Sequence, residues 1–376
     1  MSIDGEPKRG LSESARIKRR VAIAGGISAL LTLYTLPHVI FPTLDQGGRP
    51  EKLGTTFSIK QCDDLGLDER ERGEALKEIV QLQPDVLRLC AYWNRIQPSS
   101  DKFDPSYLDR ELEVVGRYPI EVAVALGAAK SPRWPEFFLP NWIKEKYGVS
   151  LNRTDAPIDQ GTDLDRYSTE YLSRLVEHLK IYPQINMLQV ENEQFNRVSV
   201  AADRTLSSRF VESEVSAVKE VKRADQRILA TASTLWWPMS AGEDEAVVEK
   251  SLKFEPDALG LNVYTKVGVQ GLSLQPTVIL WRKLRRLASQ IINSRTDPWI
   301  TEAQAEPWEH GKLVALDQRS FPSASPESTR ELVSTLANLG YGVVLLWGGE
   351  YWYAHNKKYG GREWLNPMGK LFAATA

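Results

Sequence analysis

Two short stretches carry glutamates where paired carboxyl groups could do chemistry. Gln189-Val190-Glu191-Asn192-Glu193 closes an apolar run on Asn-Glu, and Trp299-Ile300-Thr301-Glu302-Ala303 closes another on a single glutamate. Two carboxyl groups delivered to one mouth by two strands are what cleavage of a glycosidic bond needs. One serves as acid/base and the other as nucleophile. On that pattern Glu193 and Glu302 read as the catalytic pair, one of each kind.

The elements that must position them follow from the alternation of apolar runs and amphipathic stretches. The pattern predicts strands over 54–58, 86–89, 120–126, 185–190, 228–232, 258–263, 299–301 and 343–347. Helices fall between them over 69–82, 106–116, 165–181, 207–223, 246–252, 280–293 and 327–339, with a short one near 369–374. Eight such units predict an α/β fold, a (β/α)8 TIM barrel, in which chemistry sits at the C-terminal ends of the strands. Glu193, Glu302 and Trp347 all fall at such ends.

The chain of 376 residues is 42% hydrophobic and 26% charged with a net charge of −2, which gives no footing for nucleic-acid binding. Cys62 and Cys90 read as two buried thiols rather than a disulfide framework. The four histidines show no ligand spacing, so no metal or other cofactor is expected. Eleven tryptophans are many for this length. Several of them (Trp93, Trp134, Trp308, Trp347, Trp352) lie at predicted strand ends, where an indole can stack on the apolar face of a sugar.

Residues 1–20 form a polar, basic tail. Residues 21–41 (VAIAGGISALLTLYTLPHVIF) carry no Asp, Glu, Lys or Arg. As a helix they span about 30 Å, the thickness of a bilayer core. The expectation is a single-pass anchor with a cytoplasmic N-terminus and an extracytoplasmic catalytic domain. The barrel, 53–376, then follows a linker at 42–52. A cleaved signal peptide is the rival reading, but no Ala-x-Ala site follows the stretch.

On QVENE, on Glu302 at the end of the seventh strand, and on Arg88 in VLRLCAYWNRIQP, the chain resembles the clan A retaining glycoside hydrolases, the cellulase-like and β-galactosidase-like barrels. Tyr264 after strand six and Trp347 at the end of strand eight are similar to that pattern too. Gln194-Phe195 departs from the residues often found after Asn-Glu. The resemblance implies that Arg88 and Tyr264 hold Glu302, that Asn192 donates to the sugar 2-hydroxyl, and that Trp347 floors the reacting sugar. Glu191 is expected to support the site from behind, on the same strand face as Gln189 and Glu193. Glu306, Trp308, Glu350 and Trp352 are candidates for sugar subsites. Trp93, Lys130, Arg133 and Trp134 are candidates to line the same cleft. The implied activity is retaining hydrolysis of a β-linked oligo- or polysaccharide. The competing readings are a transglycosylase using the same residues and a non-catalytic glycan-binding barrel.

Overall fold

The computed structural model describes residues 48–133, 136–151, 157–196, 205–234, 241–265, 267–269, 272–274, 278–308 and 316–373. Eight strands close a parallel barrel. They are β1 (Lys52–Phe57), β2 (Val86–Cys90), β3 (Glu121–Ala125), β4 (Ile185–Gln189), β5 (Arg227–Ser233), β6 (Ala258–Val263), β7 (Asp297–Gln304) and β8 (Val343–Trp347). Consecutive strands are neighbours throughout, and β8 returns to β1 in the register Lys52 to Val343. The expected barrel is present, with strand ends displaced by a few residues. Among the described residues no helix is long and apolar enough to cross a membrane. The expected anchor at 21–41 lies outside the described residues.

The main helices start where a side chain caps their first turn. α2 (Glu69–Gln81) starts on a capping box between Asp68 and Glu71. α6 (Asp163–Leu179) starts on Thr162, and α7 (Ser208–Val221) on Ser207. α10 (Pro326–Asn338) starts on Ser325 with proline in its first turn. α4 (Ser106–Val115), α8 (Ala241–Leu252) and α9 (Val278–Asn293) complete the outer ring. The sequence pattern did not disclose α1 (Ile59–Asp64), α3 (Trp93–Ile96), α5 (Asn141–Leu151) or α11 (Gly349–Tyr359), nor the small hairpin of Val267–Val269 with Leu272–Leu274. These lie in the long connections at strand ends, where apolar periodicity is short or absent. α12 (Leu365–Ala373) closes the described chain.

Side chains alternate along each strand, so every second residue points inward. Near the floor the inward set is apolar: Val86, Ala123, Met187, Leu229, Ala258, Trp299, Val343 and Leu345. Above it the inward set turns polar, with Thr56, Arg88, Gln189, Thr231, Asn262 and Glu302, all at most 5% exposed. The outward residues Leu87, Leu89 and Leu188 join one apolar layer with the helices, and Leu259, Leu261, Ile300 and Ala303 join another.

β7 breaks the alternation at the point that matters. Leu261 and Asn262 of β6 pair with Ile300 and Glu302, leaving Thr301 as an extra residue. The register to β8 shifts across the same residues. Strict alternation from the inward Trp299 would turn Glu302 out; the bulge turns it in. Thr301 also faces inward and fits because its neighbour is Gly260. A Cβ on Gly260 would lie 2.3 Å from Thr301 Cγ2. Gly260→Ala should therefore cost about 1–3 kcal/mol and misplace Glu302, read as a lower urea midpoint with a lower kcat. A wild-type midpoint for that variant would mean that Thr301 swings aside freely and is not held by the bulge.

Candidate active site

Arg88 is the hub. Fully buried, it rises from β2 across the barrel interior. Its Nε donates to Thr56 Oγ1 (3.0 Å), its Nη1 to Gln189 Oε1 (3.0 Å) and its Nη2 to Glu302 Oε1 (2.8 Å). Tyr264 donates to the other oxygen, Glu302 Oε2, at 2.8 Å. Burial pushes the Glu302 carboxyl above its usual range, while Arg88 pulls it back toward the ionised form.

Glu193 reaches the same interior from the end of β4. Asn262 Nδ2 donates to Glu193 Oε1 at 2.7 Å. The bulge residue sets that amide's orientation, because Thr301 Oγ1 donates to Asn262 Oδ1 at 2.7 Å and leaves the NH2 group for Glu193. Asn262 is also the register partner of Glu302 across β6 and β7. Burial and the nearby Glu136 push the Glu193 carboxyl up to about 8. A carboxyl that keeps its proton near neutrality can act as a general acid.

The segment between them is built on backbone strain. Glu191 and Glu193 both take left-handed φ values, +60° and +46°. Such a conformation is costly for a residue with a Cβ and persists where its surroundings over-determine it. Here Glu193 N–H donates to Thr231 Oγ1 at 2.9 Å, and Gln189 Nε2 donates to the Glu191 carbonyl at 3.0 Å and to Asn192 Oδ1 at 3.2 Å. The turn at Glu191 ends the strand alternation. Glu191 therefore does not share an inward face with Gln189 and Glu193, contrary to the sequence pattern. Its carboxylate takes the N–H groups of Ala128 (3.0 Å), Ala129 (2.7 Å) and Lys130, and it lies near Glu214 of α7. It supports the loop after β3 from behind the barrel mouth.

The tryptophans divide. Trp347, buried, donates through Nε1 to Glu306 Oε1 at 3.1 Å, and its ring centre lies 5.9 Å from the Arg88 guanidinium carbon. Trp308 donates to the same Glu306 oxygen at 3.2 Å and meets Tyr264 edge-on, with ring centres 5.3 Å apart. Gln61 Nε2 donates to Glu306 Oε2 at 2.6 Å. Glu306, pushed up to about 8 by burial, thus anchors two indoles and is not itself an open subsite. Glu350, pushed up to about 7 by burial, accepts the Ser58 N–H and begins α11. Its carboxyl is spent on the barrel rim.

Trp93 and Trp352 do not reach the mouth. Trp93 is fully buried in α3, stacked on Tyr171 at 5.0 Å, with Nε1 donating to Gln97 at 2.8 Å. Trp352 is fully buried, with Nε1 donating to the Ala305 carbonyl at 2.8 Å. Both pack the core because the turns after β2 and β8 become helices that face the outer layer. Trp134 lies outside the described residues. Asn192 is 2% exposed, with its N–H on the Lys130 carbonyl at 2.9 Å. Lys130 is buried, and Arg133 Nε binds Asp64 Oδ2 at 2.6 Å.

Sequence reasoning missed Thr56, Thr231, Asn262 and Glu136. For the first three a signal existed: each is a polar residue at an inward position of an otherwise apolar strand. Glu136 carried none.

Comparison with known proteins defines the class. The family model described as Glyco_hydro_42, beta-galactosidase, matches residues 68–222. A GH5_18 variant from Bifidobacterium longum subsp. longum, solved with Manβ1-4GlcNAc, aligns with a TM-score of 0.57 at 14% identity, covering 86% of this chain and 77% of that one. GH5_18 from Streptomyces cattleya, solved with GlcNAc, aligns with a TM-score of 0.54 at 14% identity, covering 80% and 71%. A beta-galactosidase from Bacillus circulans sp. alkalophilus aligns at 0.52 and 13% identity, covering 80% and 50%. No curated protein sequence matches the chain. The resemblance to clan A glycoside hydrolases is borne out: the matched family model and the structures that share the barrel are those of glycosidases.

Proposed function

We propose that the chain is a retaining β-glycosidase acting by double displacement. Glu302 attacks the anomeric carbon as Glu193 gives its proton to the departing glycosidic oxygen. The carbon–oxygen bond to the leaving group breaks and an ester bond to Glu302 forms. Glu193, now a carboxylate, then takes a proton from water. That water attacks the anomeric carbon and releases Glu302. Asn192 donates to the 2-hydroxyl, and Trp347 floors the sugar. The observation that carries this reading is the contrast between the two carboxyls: Glu302 is gripped by a guanidinium and a phenol, whereas Glu193 is pushed toward its acid form.

The matched family and the ligands of the similar structures make β-galactosides and Manβ1-4GlcNAc the first substrates to try. The decisive experiment uses Glu193→Ala with an activated aryl β-glycoside. Added azide should restore turnover and yield the β-configured glycosyl azide, because azide needs no general base. An α-configured product, or no response to azide in a variant that still binds the glycoside, would end the retaining assignment of Glu193.

We also propose that residues 21–41 anchor the enzyme in a membrane with the barrel on the extracytoplasmic side. The uncharged stretch and its basic flank support this. The full chain should stay in the membrane fraction after alkaline extraction, and added protease should reach the barrel from the outer side. Release into the soluble fraction would reject the anchor.

A further inference from the structure

The loop after β3 holds a buried acid that double displacement does not use. Glu136 sits in a tight turn: its N–H donates to the Arg133 carbonyl (2.7 Å), its carbonyl accepts from Ser131 N–H (2.9 Å), and Lys130 bridges Phe137. Its φ of +70° is left-handed, a strained value for glutamate. Lys130, wholly buried, places one ammonium against three acceptors: Glu136 Oε2 at 2.9 Å, the Glu193 carbonyl at 2.6 Å and the Asn196 carbonyl at 3.1 Å. Through Lys130 the Glu136 carboxylate is tied to the backbone of Glu193, and the two carboxyls face each other electrostatically.

Among the described residues, these groups face Glu193. Asn262 of β6 donates to its Oε1, and Thr231 of β5 accepts from its N–H. Glu302 of β7, itself bound to Arg88 of β2, and Tyr264 after β6 face it electrostatically. Glu136, tied to Lys130, closes the β3 side. Asn262 and Lys130 both favour the carboxylate form of Glu193. Glu136 and Glu302 oppose it, and of these two Glu136 is the one tied to Glu193 through the shared Lys130 ammonium.

We propose that Glu136 is a positioning residue that keeps a proton on Glu193. Burial raises the Glu136 carboxyl while Lys130 draws it back toward the ionised form, and that negative charge faces the Glu193 carboxyl and favours its protonated form. This inference rests on the reading of Glu193 as acid/base. In the first displacement Glu193 loses its proton to the leaving oxygen, and two carboxylates then face each other. That repulsion drives Glu193 to recover a proton from the attacking water in the second displacement. One device thus serves both halves of the cycle.

The test compares wild type, Glu136→Gln and Glu136→Asp in the pH dependence of kcat/KM, using the aryl β-glycoside that wild type hydrolyses fastest. Without the neighbouring charge the Glu193 carboxylate forms more readily, so the basic limb for Glu136→Gln should fall by about one pH unit or more, a tenfold weaker hold on the proton. Glu136→Asp, which keeps the charge, should fall between the two. A limb unmoved in Glu136→Gln overturns the proposal. A second readout needs no turnover: 13C-carboxyl NMR of the full chain labelled at glutamate, with the Glu193 signal identified by its loss in Glu193→Gln. Its midpoint should drop in Glu136→Gln, and an unchanged midpoint also overturns the proposal. Failure of azide rescue in Glu193→Ala instead removes the catalytic reading of Glu193 and leaves the carboxyl coupling to be judged by NMR.

Discussion

Glu302→Gln is expected to lower kcat on the order of 10⁴-fold or more, because an amide cannot form the glycosyl ester. The variant should fold, since its amide oxygen still accepts from Arg88 Nη2, as Glu302 Oε1 does in the wild type. Its urea midpoint should nevertheless fall somewhat, because the buried guanidinium loses its counter-charge. Circular dichroism checks the fold, and steady-state kinetics on an aryl β-glycoside checks the chemistry. Turnover at the wild-type rate would mean that the nucleophile lies elsewhere.

Arg88→Met should be the more damaging change for stability. Arg88 is fully buried and serves three acceptors on three strands: Thr56, Gln189 and Glu302. Removing it leaves the Glu302 carboxylate buried with, among the described residues, Tyr264 as its donor, and takes from Gln189 Oε1 the donor that orients it. The expected loss is about 3–5 kcal/mol near neutral pH. The deficit should shrink in acid, where Glu302 takes up a proton and the orphaned charge disappears. Arg88→Lys should recover only part, because one ammonium cannot reproduce a fork that reaches three directions. Urea unfolding at two pH values reads both effects. A loss no larger than that of Glu302→Gln would show that the three-way contact contributes little beyond the ion pair.

The parts of the fold legible from residue patterns are those set by burial alone. Eight apolar runs separated by amphipathic stretches are enough to imply a closed parallel sheet, and β6 and β8 have the expected limits. The trio of Arg88, Tyr264 and Glu302 was legible through the resemblance to the clan A hydrolases, since Arg88 lies mid-strand and burial alone does not single it out. What stayed hidden depends on single backbone departures. The extra residue at Thr301 turns Glu302 inward, yet only the small Gly260 beside it hints at room for a bulge. The left-handed Glu191 sends that side chain behind the site, which an alternating pattern cannot anticipate. Glu136 comes near Glu193 through a loop whose path no periodicity records. Trp93 looked like a sugar platform because strand ends are rich in tryptophan, but a one-turn helix carries it into the core.

The parallel barrel has a direction. Every strand starts at the same end, and Lys52, four residues after the first described residue, starts there too, beside Val343. Whatever precedes Gly48 joins the molecule at its apolar floor, while Glu193 and Glu302 open at the opposite rim. A barrel held to a surface by its leading segment therefore stands with its back to that surface. Were residues 21–41 the membrane anchor proposed above, its reach would be outward, with the height of the barrel between its carboxylates and the headgroups behind it.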